Sequence, residues 1–365
     1  MKILILHSSF EIFGGAETFI FNLKEALLSD GHEVIILSGD DFSIKQKKSN
    51  DIVLSRWFFQ ISDIFGSSNK KIVKRVNEIA PDTILLNNWA RLRSSTILKI
   101  SKRYFVFHTV HDYFICDPKA TAEREYNLFV RLILFFRVRI ILNKFRNIYF
   151  HFPALRTKNI FANRSANNFQ NFVIFPLSPF LEVPKSIRYS EKPRRIGYLG
   201  GLYPHKGILE FVESFQNFEN NPFNLIIAGD GIQAETIRRI SSKNPNIEYV
   251  GQLTNDQKIE YFDKIDFLVC PSNCRENFSL SCAESLSYGK PILASKIAEP
   301  AMGILGSYIL FGSNSEFTDV RLLLEHLVKM DKSQYKIMCD LALESGILMA
   351  PEIFMEKFYS AIRYR

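Results

Sequence analysis

With 365 residues, the chain is too long to fold around one ordinary hydrophobic core. At about 150 residues per domain, its length predicts two domains. Its hydrophobic fraction of 47% and its mixed charges exclude a disordered chain. The net charge of +8 is matched by eight Lys and Arg residues in 127–180, a region without Asp or Glu. No nucleic-acid-binding motif accompanies this basic region, so no nucleic-acid partner is predicted.

The cysteines and the N-terminal residues indicate the compartment. The five cysteines are odd in number, and the pair Cys270 and Cys274 lacks a second Cys/His pair for zinc. Buried free thiols in a reducing compartment are therefore expected, and no metal site is predicted. The apolar run in "MKILILHSSF" is too short for a signal peptide, and no uncharged run is long enough to span a membrane. We expect a cytoplasmic protein.

Strands and helices alternate in the first half of the chain. Short apolar runs bounded by polar residues predict buried strands at 2–6, 34–38, 82–88 and 104–110. Apolar residues recur at helical spacing after the first strand, and Gly31 marks the end of that helix. Repeated strand–helix–strand order predicts a parallel, doubly wound sheet.

The second half repeats this order after a Pro-rich stretch. Residues 176–195 contain four prolines and little periodicity, which predicts a linker. Strands are then predicted at 195–200, 223–229, 247–251, 266–270 and 291–295, with helices starting near Lys206, Gln233, Asp256, Ser279 and Phe317. We therefore predict an α/β chain with two doubly wound Rossmann-like domains, 1–175 and 196–349, facing each other across a ligand-binding cleft.

A glycine-rich turn follows the first predicted strand of each half. In "FGGAE" (13–17), Gly14 and Gly15 let the backbone approach a ligand, and the helix N-terminus behind them favours an anion. In "GYLGGLYPHKG" (197–207), Lys206 can place its ammonium against a phosphate. A tight turn and a solvated lysine are the alternative interpretations. The first turn lacks the G-x-G-x-x-G pattern, so a nicotinamide dinucleotide is poorly supported.

Two further stretches carry polar residues after predicted strands. In "HTVHDYFICDP" (108–118), His111 either supplies a polar group or caps a turn, and no third ligand for a metal is evident. In "RENFSLSCAE" (275–284), Glu276 precedes a predicted helix and Glu284 lies in its early turns. Free amides at the helix start suit a diphosphate, and the carboxylates suit sugar and ribose hydroxyls. This arrangement suits a nucleotide sugar, with two surface acids as the alternative.

Six motifs in one order then reveal a family resemblance. They are "GGAE", "HDYFICDP", "GYLGGL…KG", "LIIAGDG", "IEYVGQL" and "CPS…ENFSLSCAESLSYGKPILAS". In these motifs the chain resembles the family-4 retaining glycosyltransferases, which have the GT-B fold, and the last contains that family's E-x7-E signature. The closing "APEIFMEKFYSAI" resembles the family's terminal helix. Residues about 350–365 are therefore expected to cross back to the first domain.

The resemblance implies a role for each matching residue. His111 and Glu276 are expected to be catalytic: His111 hydrogen-bonds the transferred sugar, and Glu276 holds its hydroxyls. Gly14 and Gly15 approach the donor phosphate, and Lys206 neutralises the diphosphate. The other expected donor-binding residues are Leu253 at the base, Glu284 at the ribose, Leu280 and Ser281 at the phosphate, and Arg275, Asn277, Phe278 and Ser279 beside them.

Two positions depart from the family's pattern. Gly201 stands where the family usually has Arg, so two phosphate cations become one, and Arg275 is the candidate replacement. "FANRSA" (161–166) differs from the Asn-Ser that the family more often shows there.

The resemblance also implies a reaction. A sugar moves from a UDP- or GDP-type donor to a hydroxyl of a saccharide or lipid-linked acceptor, with retention of anomeric configuration and without metal or cofactor. The expected product is a surface polysaccharide such as capsule, O-antigen or lipopolysaccharide. A non-catalytic GT-B subunit or binding protein, which Gly201 motivates, and a sugar-nucleotide epimerase are the alternatives.

The basic segment 127–152 alternates apolar clusters with single cations. As one helix it places an apolar stripe near one side, made of Phe129, Ile133, Phe136, Ile140 and Phe145, with Arg131, Arg139 and Arg146 elsewhere on its surface. One interpretation docks the stripe on the first domain's sheet. The other is peripheral contact with an anionic membrane on the inner face of the plasma membrane. The cations chosen to test this contact are Arg137, Arg139, Lys144 and Arg146.

Overall fold

A computed structural model describes residues 1–11, 14–42, 63, 66–90, 92–115, 128–144, 147–165, 171–184, 187, 189–298, 307–312 and 317–363. The chain divides into two compact units. Unit 1 contains Met1–Pro176 and Glu356–Arg365, and unit 2 contains Leu177–Met355. The predicted linker, apart from its first residue, therefore falls in unit 2. Cys116, one of the five cysteines expected to be free and buried, and the last residue of "FANRSA" lie outside the described residues.

Unit 1 contains a parallel sheet of six described strands in the order β2-β1-β3-β4-β5-β6. The strands are β1 (Lys2–His7), β2 (Glu33–Ser38), β3 (Thr83–Leu86), β4 (Val106–Thr109), β5 (Ile148–Phe152) and β6 (Phe172–Ile174). The helices are α1 (Gly15–Ser29), α2 (Lys70–Ile79), α3 (Ser94–Ser101), α4 (Leu128–Lys144) and α5 (Leu155–Ser165), with a 3-10 turn at Asp40–Phe42.

Unit 2 also contains a parallel sheet of six described strands, in the order β12-β11-β10-β7-β8-β9. The strands are β7 (Arg195–Leu199), β8 (Asn224–Ala228), β9 (Ile247–Gly251), β10 (Phe267–Cys270), β11 (Ile292–Ser295) and β12 (Tyr308–Phe311). The helices are α6 (Ile208–Gln216), α7 (Ala234–Ser241), α8 (Asn255–Lys264), α9 (Leu280–Ser287), α10 (Phe317–Lys329) and α11 (Lys332–Ile347), and a 3-10 turn covers Pro204–Lys206.

The last helix, α12 (Pro351–Arg363), begins in unit 2 and ends in unit 1. Its C-terminal half is held within unit 1 by Tyr359, whose hydroxyl lies 2.6 Å from an Asp30 carboxylate oxygen and 3.0 Å from His32 Nε2. Phe358 is buried there and meets the Phe107 ring edge-on. Aromatic burial of this kind fixes the terminal helix on the unit 1 sheet.

The basic segment is not one helix, which corrects the sequence prediction. Helix α4 ends at Lys144, and residues 148–152 form β5. The buried residues of α4 include Val138 and Ile141, which pack into the unit 1 core, whereas Phe136 of the predicted stripe is 57% exposed. The side chains of Phe129, Arg131, Lys144, Phe145 and Arg146 lie outside the part of the chain that the structure describes.

Arg137, predicted as a surface cation, is buried. Its guanidinium donates to the carbonyl oxygens of Phe114 and Ile115 and lies 3.2 Å from the buried Asp63 carboxylate. A charge removed from water needs such partners, so Arg137 holds the chain after β4 against α4. Among the described residues, no helix is long and apolar enough to cross a membrane.

Candidate functional site

In both sheets the strand order reverses around the first strand of the unit. In unit 1 the chain leaves β1 for β2 on one side and returns to β3 on the other, and in unit 2 β7 lies between β8 and β10. Ligands of doubly wound sheets bind beyond the carboxyl ends of the strands at this reversal. The loops after β1, β3, β7 and β10 are therefore the first places to look for a site.

In unit 2 these loops bring Lys206 and Glu276 together. Lys206 follows β7 and Glu276 follows β10, and the ammonium lies 2.8 Å from a Glu276 carboxylate oxygen. The Ser272 hydroxyl donates to the same oxygen at 2.6 Å. Residues seventy positions apart in the sequence thus form one charged, hydrogen-bonded group at the strand-order reversal.

Gly207 explains how Lys206 comes so close to β10. It ends the 3-10 turn with a φ of +67°, and an added Cβ would lie 2.1 Å from the Pro271 carbonyl oxygen. Only glycine permits both the left-handed backbone and this approach. The backbone amide of Asn273 also donates to the His205 carbonyl at 2.9 Å, which ties the two loops together.

The ion pair stays charged in spite of its burial. Burial opposes both charges, but the attraction between the two groups outweighs it. The Glu276 carboxylate raises the pKa of Lys206, and Lys206 together with Ser272 lowers the pKa of Glu276. The Lys206 side chain is still 30% exposed. The pair therefore presents an accessible cation beside a fixed carboxylate.

The N-terminus of α9 lies directly after this pair in the sequence. Ser279 is its N-cap, and its hydroxyl accepts from the Cys282 amide at 3.4 Å. The amides of Leu280 and Ser281 belong to the first turn, where no intrahelical acceptor exists. Such a turn favours an anion through its amides and the helix dipole.

Glu284 lies in the second turn of α9 and is paired with a cation that the sequence reasoning missed. The Lys258 ammonium, on α8, lies 2.6 Å from a Glu284 carboxylate oxygen. Burial raises the pKa of Glu284, and Lys258 opposes this rise. Nothing in the sequence pattern singled out Lys258, because it is one of several charged residues on a polar helix.

The other predicted donor-binding residues surround these elements. Leu253 is half-buried in the turn between β9 and α8, and Phe278 is half-buried before α9. Asn277 is buried, whereas Arg275 is exposed. The structure describes all of them within unit 2: Leu253 precedes α8, and Arg275, Asn277 and Phe278 lie between β10 and α9.

The space at Gly201 is occupied by an aromatic ring. An added Cβ would lie 2.9 Å from two ring carbons of Tyr203, and the Tyr203 ring stacks on His205 with centroids 5.9 Å apart. A side chain at position 201 would therefore need Tyr203 to move. Glycine at this position matches the local packing, whatever its effect on the charge of the site.

In unit 1 the loop after β1 forms a second polar group. Gly14 is the N-cap of α1, and its amide donates to one oxygen of Glu17 at 2.8 Å. The other Glu17 oxygen lies 2.9 Å from Nε2 of His7, the fully buried last residue of β1. Glu17 therefore fixes the turn that contains Gly14 and Gly15. The sequence reasoning quoted Glu17 within "FGGAE" but gave it no role.

His111 is held by Asn87, another residue that the sequence reasoning missed. His111 Nε2 lies 2.8 Å from Asn87 Oδ1, and Asn87 directly follows β3. An amide oxygen can only accept, so Nε2 carries the proton and Nδ1 is left as an acceptor. The Phe19 ring of α1 packs 5.4 Å from the imidazole. The predicted histidine is therefore oriented at the strand-order reversal of unit 1.

The histidines of this edge are held neutral. Burial lowers the pKa of His108 to about 4 and the pKa of His151 to about 3. Burial, and after it repulsion from the neighbouring imidazoles, lowers the pKa of His111 well below its usual value. Burial also raises the pKa of Asp112 to about 6. The imidazoles of His108, His111 and His151 are therefore uncharged at neutral pH.

Part of the chain matches a known protein family. Residues 180–334 match the family model described as "Glycosyl transferases group 1". The chain is 21% identical to an "Uncharacterized 42.6 kDa protein in cps region" of Klebsiella pneumoniae, over 81% of this chain and 86% of the relative. It is 27% identical to the lipopolysaccharide 1,2-N-acetylglucosaminetransferase of Salmonella typhimurium, over 38% of this chain and 40% of the relative.

The structural likeness covers the whole chain. The crystal structure of Anabaena Alr3699/HepE in complex with UDP and glucose matches with a TM-score of 0.69 at 15% identity, covering 100% of both chains. This match confirms the predicted fold class. The glycosyltransferase prediction is supported over residues 180–334, the part of the chain that matches the group 1 model. The chain therefore has the GT-B fold, and its residues 180–334 carry the group 1 glycosyltransferase match.

Proposed function

We propose that the protein is a retaining glycosyltransferase of family 4. It takes a sugar from a nucleoside diphosphate donor of the UDP or GDP type and transfers it to a hydroxyl of a saccharide or lipid-linked acceptor. The observation that supports this most directly is the Lys206–Glu276 pair beside the α9 N-terminus, within the segment that matches the family model.

Each part of unit 2 then has a task in donor binding. The Lys206 ammonium and the first-turn amides of α9 neutralise the diphosphate, and Arg275 adds an exposed cation beside them. The carboxylate of Glu276, already fixed by Ser272, accepts hydroxyls of the sugar. Glu284 accepts the ribose hydroxyls, and the backbone at Leu253 meets the base. Asn277, Phe278 and Ser279 shape the loop.

The chemistry needs position and charge stabilisation more than a dedicated base. Charge develops on the diphosphate as the glycosidic bond breaks, and Lys206 and the helix amides stabilise it. The departing phosphate oxygen takes the proton of the acceptor hydroxyl on the face where the sugar is attacked, which retains the anomeric configuration. His111, with a protonated Nε2 held by Asn87, binds the transferred sugar through Nδ1, while Gly14 and Gly15 approach the phosphate. No metal is required in this scheme.

Donor hydrolysis by the purified protein tests the proposal. We expect UDP- or GDP-sugar to be cleaved slowly without acceptor, equally with and without a chelator, and Glu276→Ala to abolish cleavage. Glu260→Ala, which removes an exposed carboxylate of α8, is the matched control and should retain cleavage. Donor binding without any cleavage would instead favour a non-catalytic GT-B subunit. A changed sugar nucleotide would favour an epimerase.

We also propose that α4 makes the peripheral membrane contact and that the protein works on the cytoplasmic side of the membrane. Leu132 and Phe136 are 47% and 57% exposed, and Arg139 is exposed on the same helix face. Exposed apolar residues beside a cation suit an anionic headgroup region. The relatives named for a cps region and for lipopolysaccharide support a surface polysaccharide as the product. Co-sedimentation with anionic but not neutral vesicles tests the contact.

A further inference from the structure

The Lys258–Glu284 ion pair is buried to an unusual degree for a helix-to-helix lysine contact. The two side chains are 12% and 4% exposed, and the charged atoms lie 2.6 Å apart. Lys258 is one turn into α8, and Glu284 is in the second turn of α9. A solvent-exposed pair contributes little to stability, but a carboxylate this buried needs its partner to remain charged.

Burial and Lys258 act in opposite directions on Glu284. Burial is the larger influence and raises the pKa of Glu284, while the charge and hydrogen bond of Lys258 lower it. Removing Lys258 leaves burial unopposed, so the pKa rises further. At a given pH, more of the carboxyl group is then protonated. A protonated carboxyl group has lost acceptor capacity, and its remaining acceptors are weaker.

The same ion pair joins two parts of the donor site. Thr254 caps α8 through a reciprocal capping box with Gln257, which fixes the turn holding Leu253 to the start of the helix. Lys258, one turn later, then ties that helix to Glu284. The segment expected to meet the base and the carboxylate expected to meet the ribose are therefore connected through one side-chain contact.

We propose that Lys258 is a positioning residue for the nucleoside of the donor: it holds the Glu284 carboxylate ionised and aimed so that it accepts the ribose hydroxyls. The inference rests on the proposed function. It assigns Lys258 no contact with the ligand. Lys258 therefore affects ligand binding only by way of the Glu284 carboxylate. A residue that contacted the ligand directly would affect binding even without that carboxylate.

Calorimetric titration with UDP and with GDP at pH 6, 7 and 8.5 tests the inference. For whichever diphosphate the parent binds, we expect Lys258→Met to lose affinity about tenfold or more at pH 6, the scale of one charge-assisted hydrogen bond. The loss should shrink as the pH rises, because Glu284 ionises again. Lys258→Arg should retain most of the affinity. Lys264→Met, at the exposed end of α8, is the matched control and should bind like the parent.

A second comparison keeps the test decisive if Lys258→Met does not fold. Glu284→Gln removes the carboxylate alone. The double variant Glu284→Gln, Lys258→Met removes both charges of the pair. We expect the double variant to bind as Glu284→Gln does. A further loss in the double variant overturns the inference, as does unchanged affinity of Lys258→Met at every pH. A parent protein that binds no nucleoside diphosphate overturns the proposed function instead, and the inference with it.

Discussion

The two sheets present opposite chemistry at the same topological position. Beyond β7 and β10 of unit 2, polar groups occur as charged pairs, with Lys206 on Glu276 and Lys258 on Glu284. At the corresponding edge of the unit 1 sheet, burial keeps the imidazoles of His108, His111 and His151 uncharged. Two domains of one architecture therefore differ in what their edges can bind.

Under the proposed function, this difference gives unit 2 the donor and unit 1 the acceptor. A diphosphate is an anion, and the unit 2 edge offers it cations and helix amides. An acceptor hydroxyl is neutral, and oriented neutral imidazoles can exchange hydrogen bonds with it without paying to bury a charge. The fold supplies the location in both units, and the residues placed there decide the ligand.

The largest expected effect is that acidification destabilises unit 1 more than unit 2. In the folded state the pKa of His108 is about 4 and the pKa of His151 is about 3. In the unfolded chain both histidines have a pKa near 6.5. Above pH 6.5 these histidines do not lower the free energy of unfolding. Below pH 6.5 the unfolded chain binds protons that the folded chain does not, so the free energy of unfolding falls. Asp112, with a pKa of about 6, opposes the loss in part. We expect a net loss of several kcal/mol in unit 1 by pH 4, because the lowered pKa of His111 acts in the same direction as those of His108 and His151.

Hydrogen exchange across the pH range measures this loss by region. Amides of β1 and β4 should lose protection before those of β7 and β10, because the pKa of Glu276 is lowered and its pair breaks only in stronger acid. His108→Asn, whose amide can still donate to the Leu86 carbonyl, should reduce the pH dependence of unit 1. Earlier opening of unit 2 would contradict the comparison.

The second largest expected effect is weaker anion binding when the accessible cation of unit 2 is removed. Lys206→Ala should lose about 1.5–3 kcal/mol of nucleoside diphosphate affinity, the scale of a hydrogen bond to a charged group. The Glu276 carboxylate is left without its cation and repels the diphosphate. Free nucleoside should bind nearly as before, measured by the same titration. If both ligands lose affinity equally, Lys206 serves the structure and not the phosphate.

Changing the oriented imidazole of unit 1 should lower turnover far more than donor affinity. His111→Ala should lower turnover about 10- to 100-fold, because its expected hydrogen bond forms near the reacting carbon. Asn87→Ala should have a smaller effect in the same direction, because it frees the imidazole to rotate but leaves it present. Steady-state kinetics with a fixed acceptor distinguish the two. A His111 variant with normal turnover would leave this histidine a structural role only.

The smallest effect concerns the outer face of α4. Arg139→Ser should weaken co-sedimentation with anionic vesicles by about 1 kcal/mol without changing donor binding. Lys102→Ser, an exposed cation elsewhere in unit 1, is the matched control. Arg137→Ser is not equivalent, because it leaves buried Asp63 without a charge partner and should destabilise unit 1 itself. Equal sedimentation with neutral vesicles would remove the electrostatic membrane contact.

Local patterns predicted much of the sheets and failed in identifiable places. The unit 2 strands from β7 to β11 lie within a residue or two of the predicted runs, because each is a short apolar stretch bounded by polar residues. β5 was missed because "IYFHF" continues an apolar, basic stretch that also fits a helix. β6 was also missed, because its three residues are too few to show a period. β12 was missed although it is as long as the predicted strands β10 and β11.

The sequence by itself determined the alternation of strands and helices, the glycine turns and the spacing of Glu276 and Glu284, because these depend on neighbours along the chain. The tertiary structure alone decided the partners. Lys206 with Glu276, Lys258 with Glu284, His7 with Glu17 and Asn87 with His111 are joined across ten to seventy positions. It also buried Arg137, which the sequence analysis had included among the cations expected to contact the membrane. Burial and pairing depend on which elements pack together, and no local pattern contains that information.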